Sequence, residues 1–223
     1  IQPSLMEQLE NRLVMANFAW SAEEVYMLEL VNRARANPVA EAARQGVDLT
    51  KDLTPGELAR LVPSEPLALN DKLTLAARGQ SADMAIRQFF DHVNPDGKDP
   101  TDRANDVGYT YSAGENIAAG YTSIDAAHKA WLESVGHRKN VFSLHESFDA
   151  NFKYTEFGFG VYIPPKGSAA PYVSYHSQEF GYQGLNPSEF VLGVVFDDRD
   201  ANAFYTMGEG LADVRVEVRQ RVA

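Results

Sequence analysis

Residues 157–180 read FGFGVYIPPKGSAAPYVSYHSQEF, and this stretch decides the fold class. Two runs rich in aromatic and β-branched residues, Phe157 to Ile163 and Tyr172 to Phe180, flank a segment of proline, glycine and serine. Aromatic and β-branched residues favour strands, and proline with glycine favours a turn, so the pattern predicts an antiparallel hairpin. Side chains alternate between the two faces of a strand, so His176 and Gln178 share one face.

Predicted helices precede this hairpin. Ser21 to Ala36 carries apolar residues at helical spacing, with two glutamates in its first turn, which predicts an amphipathic helix. Four further helices are predicted from their capping residues, and they begin at Asn37, Thr54, Asn70 and Thr122. Helices followed by antiparallel strands predict an α+β domain. We expect an N-terminal segment over 1–20, this domain over 21–183 and a truncated β module over 184–223.

Composition narrows the class of protein. The chain has 223 residues, 44% of them hydrophobic and 23% charged, which is typical of globular domains. Its formal net charge of −11 argues against nucleic acid as a partner, and no apolar run approaches the ~20 residues of a membrane span. The absence of cysteine excludes thiol nucleophiles and thiolate metal sites. Because the sequence begins with Ile1, we expect that a secretion signal has been removed.

Two histidines and a glutamate are the candidate functional residues. His92 in FFDHVNPDGKDP and His137 in WLESVGHRKN are expected in loops, and Glu115 in AGENIAAGY is expected in a short flexible stretch. Imidazoles and carboxylates together form the ligand set of zinc and similar metals. The spacing alone does not specify a metal site, so structural roles for these histidines stay open.

Six motifs carry a resemblance to a known family. In chain order they are ELVNRARANP, FFDHVNPDG, GENIAAG, AWLESVGHRKNV, YTEFGFGVY and YHSQEFG. From about Trp20 to Tyr182 the sequence resembles the bacterial branch of the CAP superfamily (SCP/TAPS), which includes cysteine-rich secretory, antigen 5 and pathogenesis-related 1 proteins. The resemblance implies an α–β–α sandwich with a central cleft. In that cleft two histidines and two glutamates converge, often around a divalent metal.

The resemblance also assigns residues to this cleft. His92, Glu115 and His137 match family positions, whereas the second glutamate position is Ser134, with Glu133 beside it and Glu156 before the next strand. The implied zinc-type ligands are His92 and His137, and the catalytic candidates are Glu115, Glu133 and Ser134. The expected ligand-cleft residues are His92, Glu115, Asn116, Glu133, His137 and His176.

Other polar residues have structural interpretations. Arg103 is expected to form a structural salt bridge. His128 and His145 are expected at the surface, and Trp131 in the core.

An acidic loop follows the domain. In DRDANAFYTMGE, residues 198–209, the EF-hand ligand spacing is met by Asp198, Asp200, Asn202, Phe204, Thr206 and Glu209. Ala203 stands where an EF-hand has glycine, and the flanking runs, Phe190 to Phe196 and Val214 to Val218, are predicted strands rather than helices. The segment resembles the start of SdrD-B-like or Cna-B-like modules, which implies a bound Ca²⁺. The alternative is a solvated acidic loop without a ligand.

These observations predict a secreted or cell-surface protein that continues beyond residue 223. We expect it to bind an extracellular small molecule, lipid, peptide or glycan in the cleft, without turnover. Zinc or a similar divalent metal is expected in the cleft, and calcium in the acidic loop. One alternative is a metal-dependent peptidase or esterase that uses the same residues. The other is a calcium-stabilised surface or adhesion component.

Overall fold

A four-stranded sheet organises the part of the chain that the computed structural model describes, residues 18–146, 153–182, 193–212 and 214–216. The helices are α1 (Ala22–Ala36), α2 (Pro38–Gln45), α3 (Pro55–Arg60), α4 (Asp71–Ile86), α5 (Pro100–Asp106), α6 (Ile124–Glu133) and α7 (Val135–Phe142). The strands are β1 (Ala68–Leu69), β2 (Ala113–Ala119), β3 (Glu156–Tyr162) and β4 (Tyr175–Gly181). None of the described helices is both long enough and apolar enough to cross a membrane.

The predicted hairpin is the centre of the sheet. Strands β3 and β4 pair antiparallel with Phe157 opposite Phe180, which confirms the prediction. The strand order is β1-β3-β4-β2, so β2 lies at an edge and pairs antiparallel with β4. In that pairing Glu115 stands directly opposite Glu179. Two acids are therefore brought side by side from segments more than sixty residues apart.

Helices cover both faces of the sheet. On one face, a Cβ atom added to Gly158 or Gly160 would lie 2.2 or 2.3 Å from the backbone of Leu73 or Ala77, so α4 packs there at backbone contact. On the opposite face, the core joins apolar residues of α1, α6 and α7 to three phenylalanines of the sheet, Phe157, Phe159 and Phe180. This arrangement confirms the predicted α+β class and its α–β–α layers.

Capping explains where most helices begin. Ser21 and Glu24 form a reciprocal capping box before α1, and Thr54 with Glu57 forms another before α3. The Asn37 side chain accepts the N–H of Ala40 at the start of α2. Helix α6 begins one residue later than predicted, because the side chain of Ser123 supplies the cap.

Two local predictions are wrong. AGENIAAG was expected as a flexible loop, but Ala113–Ala119 is strand β2. His137 was expected in a loop, but it lies on helix α7. Glycine and asparagine have low intrinsic strand propensity, so β2 owes its conformation to its pairing with β4 rather than to its own sequence.

The acidic segment packs against the first helix. The Tyr205 ring is buried at 6.2 Å from the Tyr26 ring of α1, and the Arg33 guanidinium lies 4.2 Å from the centre of the Phe204 ring. The predicted strands over 190–196 and 214–218 lie partly outside the described residues. The described parts contain one bridge, Phe196 to Gly210, and residues 214–216 are not in a strand.

Candidate functional site

A buried carboxylate, Glu115 of β2, lies at the centre of the site. His92, in the loop after α4, places Nδ1 2.7 Å from Glu115 Oε1. Arg103 of α5 donates from a terminal guanidinium nitrogen to Glu115 Oε2 at 2.5 Å. The Glu115 side chain is fully buried, whereas that of His92 is 49% exposed. Both carboxylate oxygens are engaged, so Glu115 is held in one orientation.

Arg103 holds two parts of the site together. Its other terminal nitrogen donates to the backbone carbonyls of His92, at 2.7 Å, and Lys98, at 2.9 Å. One guanidinium therefore holds both the His92 loop and the Glu115 carboxylate, and its rigid planar shape suits that double role. The predicted salt bridge of Arg103 is confirmed, and its partner is the central carboxylate of the site.

The hydrogen bond to Glu115 orients the His92 ring. Because a carboxylate accepts at Nδ1, that nitrogen carries a proton, and the neutral ring therefore has its lone pair on Nε2. The same hydrogen bond raises the pKa of His92, and partial burial opposes the rise.

His137 has the opposite electrostatic character. Burial lowers its pKa to about 4, and the nearby charge of His92 acts in the same direction. Its Nδ1 is buried and has no hydrogen-bond partner among the described residues. His137 is therefore neutral at neutral pH, whereas His92 readily takes a proton.

A chain of amides holds helix α7 against β2. Asn116 donates to the backbone carbonyl of His137 at 3.3 Å and to the side-chain oxygen of Gln178 at 2.9 Å. Asn140 of α7 donates to the Glu115 carbonyl at 3.0 Å and to Asn116 Oδ1 at 2.9 Å. Asn116 was expected to line the ligand cleft, but it is fully buried and positions His137 from behind.

A cleft of about 290 Å³ opens between the edge strand β2 and helix α6. Two half-exposed aromatic rings, Phe90 and Tyr172, lie 6.0 Å apart in its lining. The remaining lining residues are mostly apolar: Ile117, Ala118, Ala119, Tyr121, Ala130, Trp131, Ser134 and His137. The result is an aromatic groove lined by one histidine, His137, whereas His92 and Glu115, which were expected in the cleft, are not among its lining residues.

The other cleft candidates occupy different positions. Ser134 lines the cleft, and its side chain makes no capping bond at the start of α7. Glu133 is exposed, 3.9 Å from Lys129, and is not part of the lining. His176 is 2% exposed and stacks on Phe159, so its expected place in the cleft is corrected to the core. His176 lies on the face of β4 that packs against α1 and α6.

The two histidines that were expected at the surface, His128 and His145, are instead buried and half-buried. His128 is fully buried, with Nε2 3.4 Å from Glu41 Oε1, because it shares the inner face of α6 with Trp131 three residues later. His145 is half-buried, and its Nε2 lies 3.0 Å from Asn140 Oδ1. Trp131 is in the core, as predicted.

Glu179 belongs to the site although its sequence pattern did not indicate it. This side chain is fully buried opposite Glu115, and its Oε1 lies 3.9 Å from the Arg103 guanidinium. Burial raises the pKa of Glu179 well above its usual range, and the charge of Glu115 raises it further. Its alternation with His176 and Gln178 could have placed Glu179 on the opposite sheet face, but its partner strand was not recognised.

Glu156, the other glutamate considered, lies elsewhere on the sheet. Asn70 donates to one of its oxygens at 2.8 Å, and the Tyr109 hydroxyl donates to the other at 3.0 Å. These bonds tie the end of β3 to the start of α4, so Glu156 has a structural role.

The cleft donors do not fit a three-ligand zinc centre in this arrangement. Both oxygens of Glu115 are occupied by His92 and Arg103, which leaves the imidazoles of His92 and His137 as donors. Zinc sites in proteins have three or four protein ligands. Within the described ranges, three ligand atoms of acids or histidines come within 4.8 Å of one another in the acidic loop, at Asp198, Asp200 and Glu209.

The acidic loop is ordered by its own backbone. The N–H groups of Asn202 and Ala203 donate to the Asp198 carboxylate, and three further N–H groups of the loop donate to the Glu209 carboxylate. Ala203, at the position where an EF-hand has glycine, has φ of 59°. The loop therefore adopts the left-handed turn at this position although the residue is not glycine.

Comparison with known proteins identifies the family. The model of the cysteine-rich secretory protein family (CAP) matches residues 28–175. YkwD of Bacillus subtilis is 37% identical over 97 residues, which cover 43% of this chain and 35% of YkwD. The membrane protein YlbC of the same organism is 37% identical over 86 residues, 38% of this chain and 22% of YlbC. The chain thus spans about a third or less of these curated relatives.

Solved structures give more distant similarities. An extracellular protein with an SCP domain from Bacillus anthracis is 25% identical, with a TM-score of 0.47, over 71% of this chain and 39% of that protein. A cysteine-rich secretory protein from Staphylococcus aureus is 17% identical, with a TM-score of 0.42, over 71% of this chain and 37% of that protein. Because the family model matches well over half of its residues, the chain belongs to the cysteine-rich secretory protein (CAP) family.

Proposed function

We propose that this protein binds a ligand outside the cell and that the cleft between β2 and α6 is the binding site. The observation that carries the proposal is an aromatic groove of about 290 Å³ with the neutral, partly buried imidazole of His137 in its wall. Ligand sites are typically concave and mostly apolar, with a few polar groups that fix orientation. Membership of a family described as secretory supports an extracellular location.

The lining limits the chemistry of the ligand. Phe90 and Tyr172 offer apolar and π surfaces, which suit a lipid chain, an apolar peptide side chain or the apolar face of a sugar. His137 offers a neutral imidazole to a polar group of that ligand. An extracellular small molecule, lipid, peptide or glycan fits this description.

Binding is favoured over turnover by the state of the candidate catalytic groups. Glu115 has both oxygens engaged, which leaves it poorly placed to act as a general base. The low pKa of His137 makes it a weak base at neutral pH. The rival function is a metal-dependent peptidase or esterase. Turnover of an ester or peptide substrate that is lost in the His92→Ala, His137→Ala double variant would replace binding with this alternative.

A divalent metal between His92 and His137 remains a separate prediction. Two imidazoles supply part of a zinc ligand set, and exogenous ligands would have to complete it. If this prediction is correct, elemental analysis of the purified protein finds zinc or a similar metal, and the double alanine variant has lost it. Equal metal content in the two proteins would rule out these two ligands.

The acidic loop suggests a second ligand, Ca²⁺. Asp198, Asp200 and Glu209 bring ligand atoms within 4.8 Å of one another on a loop that packs against α1, so a cation there would stabilise the contact between the two. We propose calcium as the cation because hard oxygen ligands favour it. This property would suit a surface or adhesion component.

Tryptophan fluorescence gives a direct binding test. The chain has two tryptophans, so in a Trp20→Phe background the emission reports on Trp131 in the cleft. Palmitate, an apolar peptide and an oligosaccharide are each titrated. At least one class is expected to change the emission saturably, and Phe90→Ala with Tyr172→Ala should weaken binding by about tenfold or more.

The matched control is Ile163→Ala, an exposed apolar residue outside the cleft lining. It should leave the affinity unchanged. No saturable change with any probe, or equal affinity in the Phe90 and Tyr172 double variant, would contradict the proposed site.

A further inference from the structure

The buried acids outnumber the buried cations around the cleft. Glu115 and Glu179 are register partners on β2 and β4, so their side chains leave the same face of the sheet, and both are fully buried. Arg103 is the cation that contacts them, at 2.5 Å from Glu115 and 3.9 Å from Glu179. One guanidinium therefore neutralises Glu115, and Glu179 is left without close compensation.

The surroundings of Glu179 oppose a negative charge. Neither of its oxygens accepts a hydrogen bond from a donor in the described part of the chain. The ionisable groups that act on it are Glu115 of β2, Arg103 of α5 and Asp99 at the start of α5; Arg103 favours its charged form and the two acids oppose it. Its charge would also act on the buried Tyr154 hydroxyl that precedes β3. On the remaining side, helix α4 presents the backbone of Leu73 to Gly158, the β3 neighbour of Glu179.

We propose that Glu179 is a positioning residue for Glu115 and His92, a neutral carboxylic acid whose O–H donates to the Glu115 carboxylate. A buried carboxyl group without donors is costly when ionised, and a proton removes that cost while supplying the missing hydrogen bond. The two acids then share one proton and one negative charge, which Arg103 neutralises.

This arrangement explains how the His92 ring is oriented. Glu115 would accept from His92, Arg103 and Glu179, so its orientation is fixed on three sides. A fixed acceptor at Nδ1 keeps the His92 ring in the form that has its lone pair on Nε2. The relevance of this orientation rests on the proposed function, whereas the protonation state of Glu179 does not.

The test compares Glu179→Gln with wild type in urea unfolding between pH 4.5 and pH 8. An unfolded glutamate has a pKa of about 4.3, so the folded wild type alone holds this proton at higher pH and loses stability as pH rises. The glutamine keeps an N–H donor and has no proton to lose. The unfolding constant of wild type relative to the variant should therefore rise by at least about tenfold over this range.

Glu133→Gln, at an exposed glutamate, is the control, and its ratio to wild type should stay constant. A ratio for Glu179→Gln that stays constant, or that falls because an ionised Glu179 pairs with Arg103, overturns the proposal.

If the glutamine variant does not fold, NMR of wild type labelled with ¹³C at the glutamate carboxyls decides the question at pH 7. One protonated resonance supports the proposal, and ionised resonances alone overturn it. Neither measurement involves a cleft ligand, so failure of the Glu179 proposal can be told apart from failure of the proposed function.

Discussion

Acidic side chains occur in two contrasting settings in this protein. Glu115 and Glu179 are fully buried and are surrounded by a guanidinium, an imidazole and each other. Asp198 and Asp200 lie on an exposed loop and gather with Glu209, with backbone N–H groups as their main donors. Burial forces the first pair to use protein donors, whereas the second group can take a cation from solvent.

The contrast has a physical basis in solvation. A buried charge must find its compensation within the fold, because water cannot supply it. An exposed carboxylate cluster keeps its water and gains little from pairing until a cation replaces that water. The buried set should therefore respond strongly to loss of a partner, and the loop should respond to added metal.

Removing the guanidinium should give the largest effect. Arg103→Met leaves Glu115 buried without its cation and frees the His92 loop, which is expected to cost about 3 to 5 kcal/mol of unfolding free energy at pH 7. Urea denaturation at pH 7 measures it. Arg87→Met is the control, because Arg87 pairs with Asp83 and Asp96 at the surface and should matter little. Equal losses of unfolding free energy in the two variants would show that the buried ion pair matters no more than a surface one.

The buried side of the contrast also predicts a pH dependence at His137. Its folded pKa of about 4 lies below the unfolded value of 6.5, so the unfolded state binds the proton first. Stability should therefore fall as pH drops from 6.5 toward 4, by about 2 to 3 kcal/mol from this group. His137→Asn should lack this component. Denaturation of both proteins with EDTA present measures this component. Unfolding free energies that fall in parallel with pH would show that burial does not lower the pKa of His137.

Added calcium tests the exposed acidic loop, residues 198–209. With a dissociation constant of about 0.1 mM, as for weak extracellular sites, 1 mM Ca²⁺ should stabilise the protein by about 1.4 kcal/mol. The melting temperature should rise by a few degrees against EDTA in wild type but not in Asp198→Asn with Asp200→Asn. An unchanged wild-type melting temperature would show that the loop binds no stabilising calcium.

The smallest expected effect concerns Ala203. A left-handed conformation costs a non-glycine residue about 1 to 2 kcal/mol, and glycine removes this cost. Glycine also raises the conformational entropy of the unfolded chain, which offsets part of the stabilisation. Ala203→Gly should therefore raise the unfolding free energy by about 0.5 kcal/mol, read from thermal melts. A glycine at Ala201, which also has a positive φ of 56°, gives a matched comparison. Destabilisation by the Ala203 change would show that the loop does not hold this turn in solution.

Most of the fold was predictable because its signals are local. Capping boxes at Ser21 and Thr54 and the hairpin around Pro164 depend on neighbouring residues alone. Strand β2 was not predictable in this way, because its glycine and asparagine favour a loop and its partner β4 lies about sixty residues away. The missed strand also hid Glu179, since the role of that residue depends on the β2 to β4 register.

The site was predictable in part. The family resemblance supplied His92, Glu115 and His137, and the structure places His92 on Glu115 and His137 in the cleft wall. It did not supply their unequal protonation, which depends on the hydrogen bond between His92 and Glu115 and on the burial of His137. His176 was misplaced because the period of a strand assigns residues to two faces without saying which face meets the cleft.

The state of the two histidines is the most direct measure of the site. NMR of metal-free protein labelled with ¹⁵N-histidine, assigned with His92→Asn and His137→Asn, follows both rings between pH 4 and pH 8. We expect His92 to titrate above its usual 6.5, protonated on Nδ1 when neutral, while His137 stays neutral until about pH 4. Titration of both rings together near pH 6.5, or in the reverse order, would contradict a site built from one partly buried and one carboxylate-bound histidine.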